Sequence, residues 1–447
     1  MDKRIFCLIM TIVFCLTGCS GSINTMTENI QQQETAPDIA GLESAQKEEQ
    51  TIVYTGEISF EIPVSTLNIF VNPNGYQAER GKQVIFKTEN LSGEFRVIRE
   101  ADWEVIYTGT IEKNVGDFSD VSEPGEYFIE QDEVGRSYTF SILEDTYEPI
   151  FQGLMQNLIV EIPKADVDKS DICDVSFGMH AMMLTLQCHG VLFEKDNNLV
   201  SQILEMAEWL LTFQDEKTGS MFDDYEATAA FCGVLAQSAD SFGKYDAVVS
   251  KQFMEASKKA WKWLEKQSKQ AKECPSAQFY AATQLMKAEE SVRYKEIVDN
   301  FLKTRETKLT DDKFSFYGSL IYLNTVKNID RDLCTQMMQE MVSETEEISQ
   351  RVKENPYFVY TDNIDENFRK ILLIGFVDYI TPSNEYAVIL ENTLHYLLGR
   401  NQTGSGYLKN DGTWIEVEAT VQKNVEWNGI LLFCLSDLLN DAADDIK

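Results

Sequence analysis

From Tyr147 onward, apolar residues recur at three-and-four spacing in one segment after another, and this constrains the fold more than any other feature. The segments run from Met179 to Gly190, Leu199 to Gln214, Ala227 to Phe242, Ala247 to Glu265 and Ala277 to Lys287. They continue from Val292 to Lys303, Phe314 to Val326, Leu333 to Lys353, Phe368 to Ile380 and Tyr386 to Leu398. That period belongs to amphipathic helices, not strands. The connections are mostly short, so consecutive helices should pack as antiparallel hairpins. No residue signature recurs at a fixed period, which argues against a repeat solenoid.

The stretch from Thr51 to Leu143 alternates apolar and polar residues between turn signals: Asn72-Pro73-Asn74-Gly75, Ser92-Gly93, Pro124-Gly125 and Val134-Gly135. This predicts a small β-sandwich over 51–145, followed by an all-α domain over 146–447. Residues 20–50 are polar, with little apolar periodicity, and read as a flexible tether.

The first residues carry an address. Lys3 and Arg4 precede a short apolar run from Ile5 to Leu16, too short to span a bilayer and suited to a signal peptide. The run ends in Leu16-Thr17-Gly18-Cys19, which resembles the bacterial lipoprotein box. That resemblance implies a signal over 1–18 and a tether over 19–50 that starts at a lipidated Cys19. The protein would be exported and held at the outer face of the cell membrane.

The chain has 39 basic and 73 acidic residues, a net charge of -34, which argues against nucleic acid as a partner. Of nine cysteines, Cys173, Cys188, Cys232, Cys274, Cys334 and Cys434 lie beyond the leader without close-spaced pairs. That pattern is neither a disulfide framework nor a zinc spacing. Buried free thiols in helices are the expectation.

Two groups of motifs carry a family resemblance. Val71-Asn72-Pro73-Asn74-Gly75-Tyr76, Phe95-Arg96-Val97, Val105-Ile106-Tyr107-Thr108-Gly109, Asp117-Phe118-Ser119 and Pro124-Gly125-Glu126-Tyr127 occur in that order. They resemble the immunoglobulin-like domain that precedes many family 9 glycoside hydrolases. The second group runs from Leu204–Gln214 through Ala227-Thr228-Ala229-Ala230-Phe231 to Ala260-Trp261-Lys262-Trp263-Leu264. It closes with Tyr396-Leu397-Leu398-Gly399-Arg400-Asn401 and Val421-Gln422-Lys423-Asn424-Val425-Glu426-Trp427-Asn428. These resemble the catalytic domain of that family, the inverting β-1,4-glucanases. The resemblance implies an (α/α)6 barrel and a β-glucan or related polysaccharide as partner. Family members often hold calcium, but no metal ligand set can be placed in this sequence, and no cofactor is expected.

Inverting hydrolysis needs a general acid and a general base on opposite faces of the scissile bond, about 6.5–9.5 Å apart. The family's acid is a Glu five residues before the Trp of Trp-Asn, where this chain has Gln422. An amide keeps the shape of a carboxyl group but has no acidic proton. Glu418, about one turn upstream, is a possible substitute; Glu426 is in a poor place by spacing. The base admits two alignments. In one, Asp171-Ile172-Cys173-Asp174 replaces Asp-Ala-Gly-Asp, with Asp174 as base and Asp171 positioning water. In the other, Asp174-Val175-Ser176-Phe177-Gly178-Met179-His180 replaces the preceding Asp-Val-Ser-Gly-Gly-Trp-His, and the catalytic place reads Ala181-Met182-Met183-Leu184. The second shares more residues and is preferred. The bland reading of Asp171 and Asp174 is that one caps a helix.

Tyr225, Trp414 and Trp427 are the candidate aromatics for stacking on sugar rings, with Tyr225 and Trp414 in loops at the expected cleft end, and for each a place in the helical core is the preferred competing reading. Two functions stay open. One is an anchored glycan hydrolase with a rebuilt acid. The other is a non-catalytic descendant that binds glycan or protein in the old cleft. Gln422 and the preferred alignment favour the second.

Overall fold

The computed structural model describes residues 66, 68–156, 167–193, 198–409, 412 and 425–444. Cys19, Trp414, Glu418 and Gln422 lie outside them.

The first part is β. Strands β1 (Ile69–Phe70), β2 (Tyr76–Gln77), β3 (Gln83–Phe86), β4 (Gly93–Arg99), β5 (Val105–Glu112), β6 (Val115–Asp117), β7 (Gly125–Gln131), β8 (Gly135–Arg136) and β9 (Phe140–Leu143) pair in the order β1-β3-β6-β5-β4-β7-β9-β2, with β8 on β7. Alternation does the sorting: Phe95 and Val97 of β4, with Tyr127 and Ile129 of β7, face a core shared with Tyr76, Phe118 and Phe140. Val97 lies opposite Ile129, so register aligns the apolar faces. Tyr127 donates its hydroxyl to Glu123 O (2.9 Å), the tyrosine corner common in immunoglobulin-like sandwiches.

The helical part holds α1 (Tyr147–Gln156), α2 (Lys169–Cys188), α3 (Asn198–Leu211), α4 (Tyr225–Phe242), α5 (Ala247–Leu264), α6 (Ser268–Glu273) and α7 (Pro275–Ala288). It continues with α8 (Lys295–Thr304), α9 (Lys313–Leu323), α10 (Arg331–Glu354), α11 (Ile364–Ile380), α12 (Asn384–Leu397) and α13 (Val425–Asp444). Two burial patterns sort them into layers. Helices α5, α8 and α10 bury one stripe, such as Phe253, Ala256, Ala260, Trp261 and Leu264 of α5. Helices α2, α4, α7 and α9 are buried nearly all round; every residue from Phe314 to Leu323 is inside. A helix apolar or small on all sides belongs in an inner layer. The inner neighbours run α11, α13, α2, α4, α7, α9, with the striped helices outside.

The most displaced boundary concerns α2. Periodicity starts it near Met179, yet the helix begins ten residues earlier, at Lys169. Asp168 accepts from the backbone N–H of Ser170 and Asp171, and the Asp171 carboxylate accepts from the N–H of Asp168. This reciprocal capping box satisfies donors the first turn would otherwise leave open. Ser176 and Gly178 interrupt the apolar pattern and hide the early start.

The two parts meet through their signature motifs. Asn72 Nδ2 lies 3.0 Å from His395 Nδ1, Asn74 donates to Leu398 O (2.7 Å), and Tyr76 packs on the His395 ring. Gly399, at φ +117, lets the chain turn against Pro73. The Tyr-Leu-Leu-Gly-Arg-Asn stretch therefore seats the β module.

Candidate functional site

Three inner helices bring their N-terminal ends together. On α2, Asp171 is spent on the capping box, and Asp174 is the next acidic residue along. One turn later Gly178 meets α13, where Gly429 sits in the same crossing. A Cβ on Gly429 would fall 2.6 Å from Gly178 O, so the two backbones touch. This crossing carries Glu426, at the start of α13, toward Asp174. Helix α9 starts beside them, capped by Asp312, whose carboxylate accepts from Ser315 N (3.0 Å).

Its first residue, Lys313, joins the two acids. The ammonium is 3.4 Å from Asp174 Oδ1 and in closer contact with Glu426 Oε2. Tyr317, one turn on, donates to Glu426 Oε1 (3.0 Å). Sharing one ammonium, the nearest oxygens of Asp174 and Glu426 stand closer than the roughly 6.5–9.5 Å that inverting hydrolysis keeps for its water. Burial pushes the Glu426 carboxyl above its ordinary value, and Lys313 and Tyr317 only partly offset this. Burial likewise raises Asp174, with Lys313 opposing. Burial works against the charge on Lys313, but the two carboxylates outweigh it and hold the ammonium above its ordinary value.

Asp174, Lys313 and Glu426 line a cleft of about 350 Å³ with Asp365, Phe368, Arg369, Trp427 and Ile430. Phe368 and Trp427 stack in parallel, with centroids 5.2 Å apart.

The expected site residues separate accordingly. Asp174 lines the cleft. Asp171 is not among the cleft-lining residues; its carboxylate closes the capping box, the helix-cap place that the bland reading gave to one of the two. The preferred alignment put the catalytic place at Ala181-Met182-Met183-Leu184, but all four are wholly buried in the core. Asp174, which both alignments contain, lines the cleft, and the alignments differ only in the role they give it. Tyr225 is not in a loop; it opens α4, is buried, and is not among the cleft-lining residues. Trp427 lines the cleft but is 8% exposed and covered on one side by Phe368, so it serves as wall more than open platform. Burial pushes the Cys173 thiol up to about 12, far from a thiolate nucleophile at neutral pH.

Sequence reasoning undervalued Glu426 and missed Lys313, Asp365 and Arg369. Lys313 had one local signal, an Asp immediately before an apolar helical run, which predicts the first turn of a helix. Nothing local says that this turn abuts two others. Among the described residues no cluster of His, Cys, Asp and Glu has the makings of a metal site.

The chain matches the sequence model of glycosyl hydrolase family 9 over residues 189–414 and that of the cellulase N-terminal ig-like domain over residues 65–136. No curated protein matches it by sequence. Among solved structures it is similar to AaCel9A in complex with cellobiose-like isofagomine, at TM-score 0.68 and 14% identity, over 83% of this chain and 100% of that one. It is similar to a metagenome-derived family 9 endoglucanase at TM-score 0.69 and 14% identity, over 83% and 98% of the two chains. A Bacteroides ovatus family 9 protein gives 0.66 and 15%, over 83% and 98%. At such identities the structural likeness speaks for the fold. The family match, which covers half of the chain, rests on the barrel scaffold between Asp174 and Glu426 and not on those residues themselves. The β module, the inner ring of helices and this match agree: the chain belongs to glycosyl hydrolase family 9.

Proposed function

We propose that the protein is an exported lipoprotein, anchored through Cys19 at the outer face of the bacterial cell membrane. In this reading it binds β-1,4-glucan or a related polysaccharide in its family 9 cleft and hydrolyses it weakly or not at all. The address rests on the basic, apolar and Leu-Thr-Gly-Cys order of the first residues. Retention in washed membranes, and release by Cys19→Ser, tests it.

Lys313 carries the rest. A general base must be free to take a proton from water, and a general acid must hold one to give. Here one ammonium bonds both Asp174 and Glu426 and stands between them. Gln422 at the family's acid position supports the same reading. A glycan as ligand is supported by membership of the family and by AaCel9A, which was solved with a cellobiose-like isofagomine.

Retained hydrolysis is the second reading, and one observation favours it: burial raises Glu426, the direction a general acid needs. Lys313 opposes that shift. The deciding experiment measures reducing-end release from soluble β-1,4-glucan and, on the same protein, retardation in a gel containing that glucan. Retardation without release is expected. Release by the wild type that disappears in Asp174→Asn would sink the proposal and establish a working site.

A further inference from the structure

Each carboxylate in the cleft has a local source of positive charge. Asp174 and Glu426 share Lys313. Asp365 lies in the first turn of α11, where the helix N-terminus stabilises negative charge. Arg369, one turn further along α11, lines the same cleft. Among the described residues its guanidinium makes neither an ion pair nor a hydrogen bond. This is unusual in a chain with 73 acidic against 39 basic residues, where most partly buried cations have found an acid. Asp365 stands at the favourable i, i+4 spacing for a pair, yet no ion pair joins it to Arg369.

The neighbours of Arg369 complete the argument. Phe368 precedes it in sequence, and the parallel Phe368–Trp427 pair walls the cleft at this point. The guanidinium is a planar fork of donors that matches the two oxygens of a carboxylate, and it holds that geometry better than any hydroxyl pair can. Trp427, 8% exposed against 1% for Phe368, presents the part of this wall that the C–H groups of a sugar ring can meet. From this juxtaposition we propose that the cleft takes a glycan carrying carboxylate groups, a uronic acid unit seated with its carboxylate on Arg369 and its ring against the Phe368–Trp427 wall. The inference rests on the glycan-binding reading above and narrows it to acidic sugars. Lys313, already bonded to two carboxylates, is left out of the contact.

The test uses two probes that share a backbone: a β-1,4-linked glucuronic acid oligosaccharide and a cello-oligosaccharide of equal length. Binding of each to the full mature chain is measured by calorimetry at low ionic strength. The acidic oligosaccharide should bind about tenfold tighter, the gain of one charge-assisted fork. Arg369→Gln should bring the two affinities together, and Arg369→Lys should restore only part of the difference, because a point charge lacks the fork. Raising the salt should shrink the preference less than it would for an exposed pair. Equal affinities in the wild type, or a preference that survives Arg369→Gln in a variant with wild-type circular dichroism, would overturn the inference and leave glycan binding standing. Failure of both oligosaccharides to bind would overturn the inference together with the reading beneath it.

Discussion

Gly178 of α2 and Gly429 of α13 meet backbone to backbone. A methyl group on Gly178 would stand 2.6 Å from the Val425 carbonyl carbon, and one on Gly429 would stand 2.6 Å from Gly178 O. Neither obstacle is a side chain that can rotate away. The contact sets the depth at which the helices cross. Asp174 lies one turn before Gly178 and Glu426 three residues before Gly429, so the crossing also brings both acids within reach of Lys313.

Gly429→Ala tests this. Replacing Gly by Ala inside a helix gains roughly 0.5–1 kcal/mol of helical preference. Forcing a methyl group into a packed backbone contact costs about 1–3 kcal/mol or more. The second effect should win, lowering the urea midpoint without changing the slope. A midpoint equal to or above wild type would mean that the helices cross less tightly.

Lys313→Met removes the cation and leaves two carboxylates side by side, with Glu426 3% exposed. Breaking a buried pair costs about 3–5 kcal/mol. The Lys313 side chain is 35% exposed, so the loss should fall at or below the low end of that range. Both carboxyls are already raised by burial, and losing Lys313 raises them further. A carboxyl whose folded value lies above its unfolded value favours folding below about pH 4, where both states are protonated, relative to neutral pH. That advantage is lost as pH climbs through the raised folded value. The deficit of the variant against wild type should therefore be larger at pH 7 than at pH 5, read from urea unfolding at each pH. A deficit that grows on acidification would contradict the assigned shifts.

The layers were legible in the sequence because burial leaves a period. The striped outer helix Ala247–Leu264 and the inner helix Tyr225–Phe242 lie within two residues of their expected bounds. The β module was legible from its turn residues. The site was legible only in part, for a physical reason: its residues come from the first two turns of helices far apart in sequence, where capping chemistry shows more clearly than function. Asp171 and Asp174 look alike in the sequence, yet one caps and one faces the cleft. Glu426 was discounted by its spacing from Trp427, which says nothing of the α2–α13 crossing. Lys313 and Arg369 carry no motif at all; their meaning lies in which charges the fold places beside them.

All three histidines are buried, and burial lowers each below its ordinary value, His189 to about 4. A histidine depressed in the folded state supports folding above its unfolded value, near 6.5, and loses that support as pH falls through the folded value. For His189 the window runs from about 6.5 to about 4, with a span of about 3 kcal/mol at most. His189→Phe keeps a ring against Tyr379 and Phe433, whose centroids are each 5.2 Å away, and removes the titration. The variant's urea midpoint should fall less than that of wild type between pH 7 and pH 4.5. His180 and His395 are unchanged in the variant, so the difference reads the His189 ring together with its contact to the Asp437 carboxylate, 3.8 Å from Nε2. Parallel decline of the two midpoints would show that His189 does not remain neutral.

Asn72 ties the β module to the barrel at a buried point. Its Nδ2 can only donate, so the His395 Nδ1 3.0 Å away accepts, and the neutral imidazole carries its proton on Nε2. The same side chain also donates to Gly75 O and accepts from Asn74 N (3.0 Å), which shapes the turn that reaches Leu398. Asn72→Ala strands a buried acceptor and loosens that turn, at a cost of about 1–3 kcal/mol. Because the lost bonds lie at the junction, the loss should fall on docking more than on either core. Hydrogen exchange should quicken in Gly93–Arg99 and Gly125–Gln131 well before the inner helices lose protection. An equal gain in exchange across strands and helices would mean that the two parts unfold as one unit and that the Asn72–His395 contact does not control their coupling.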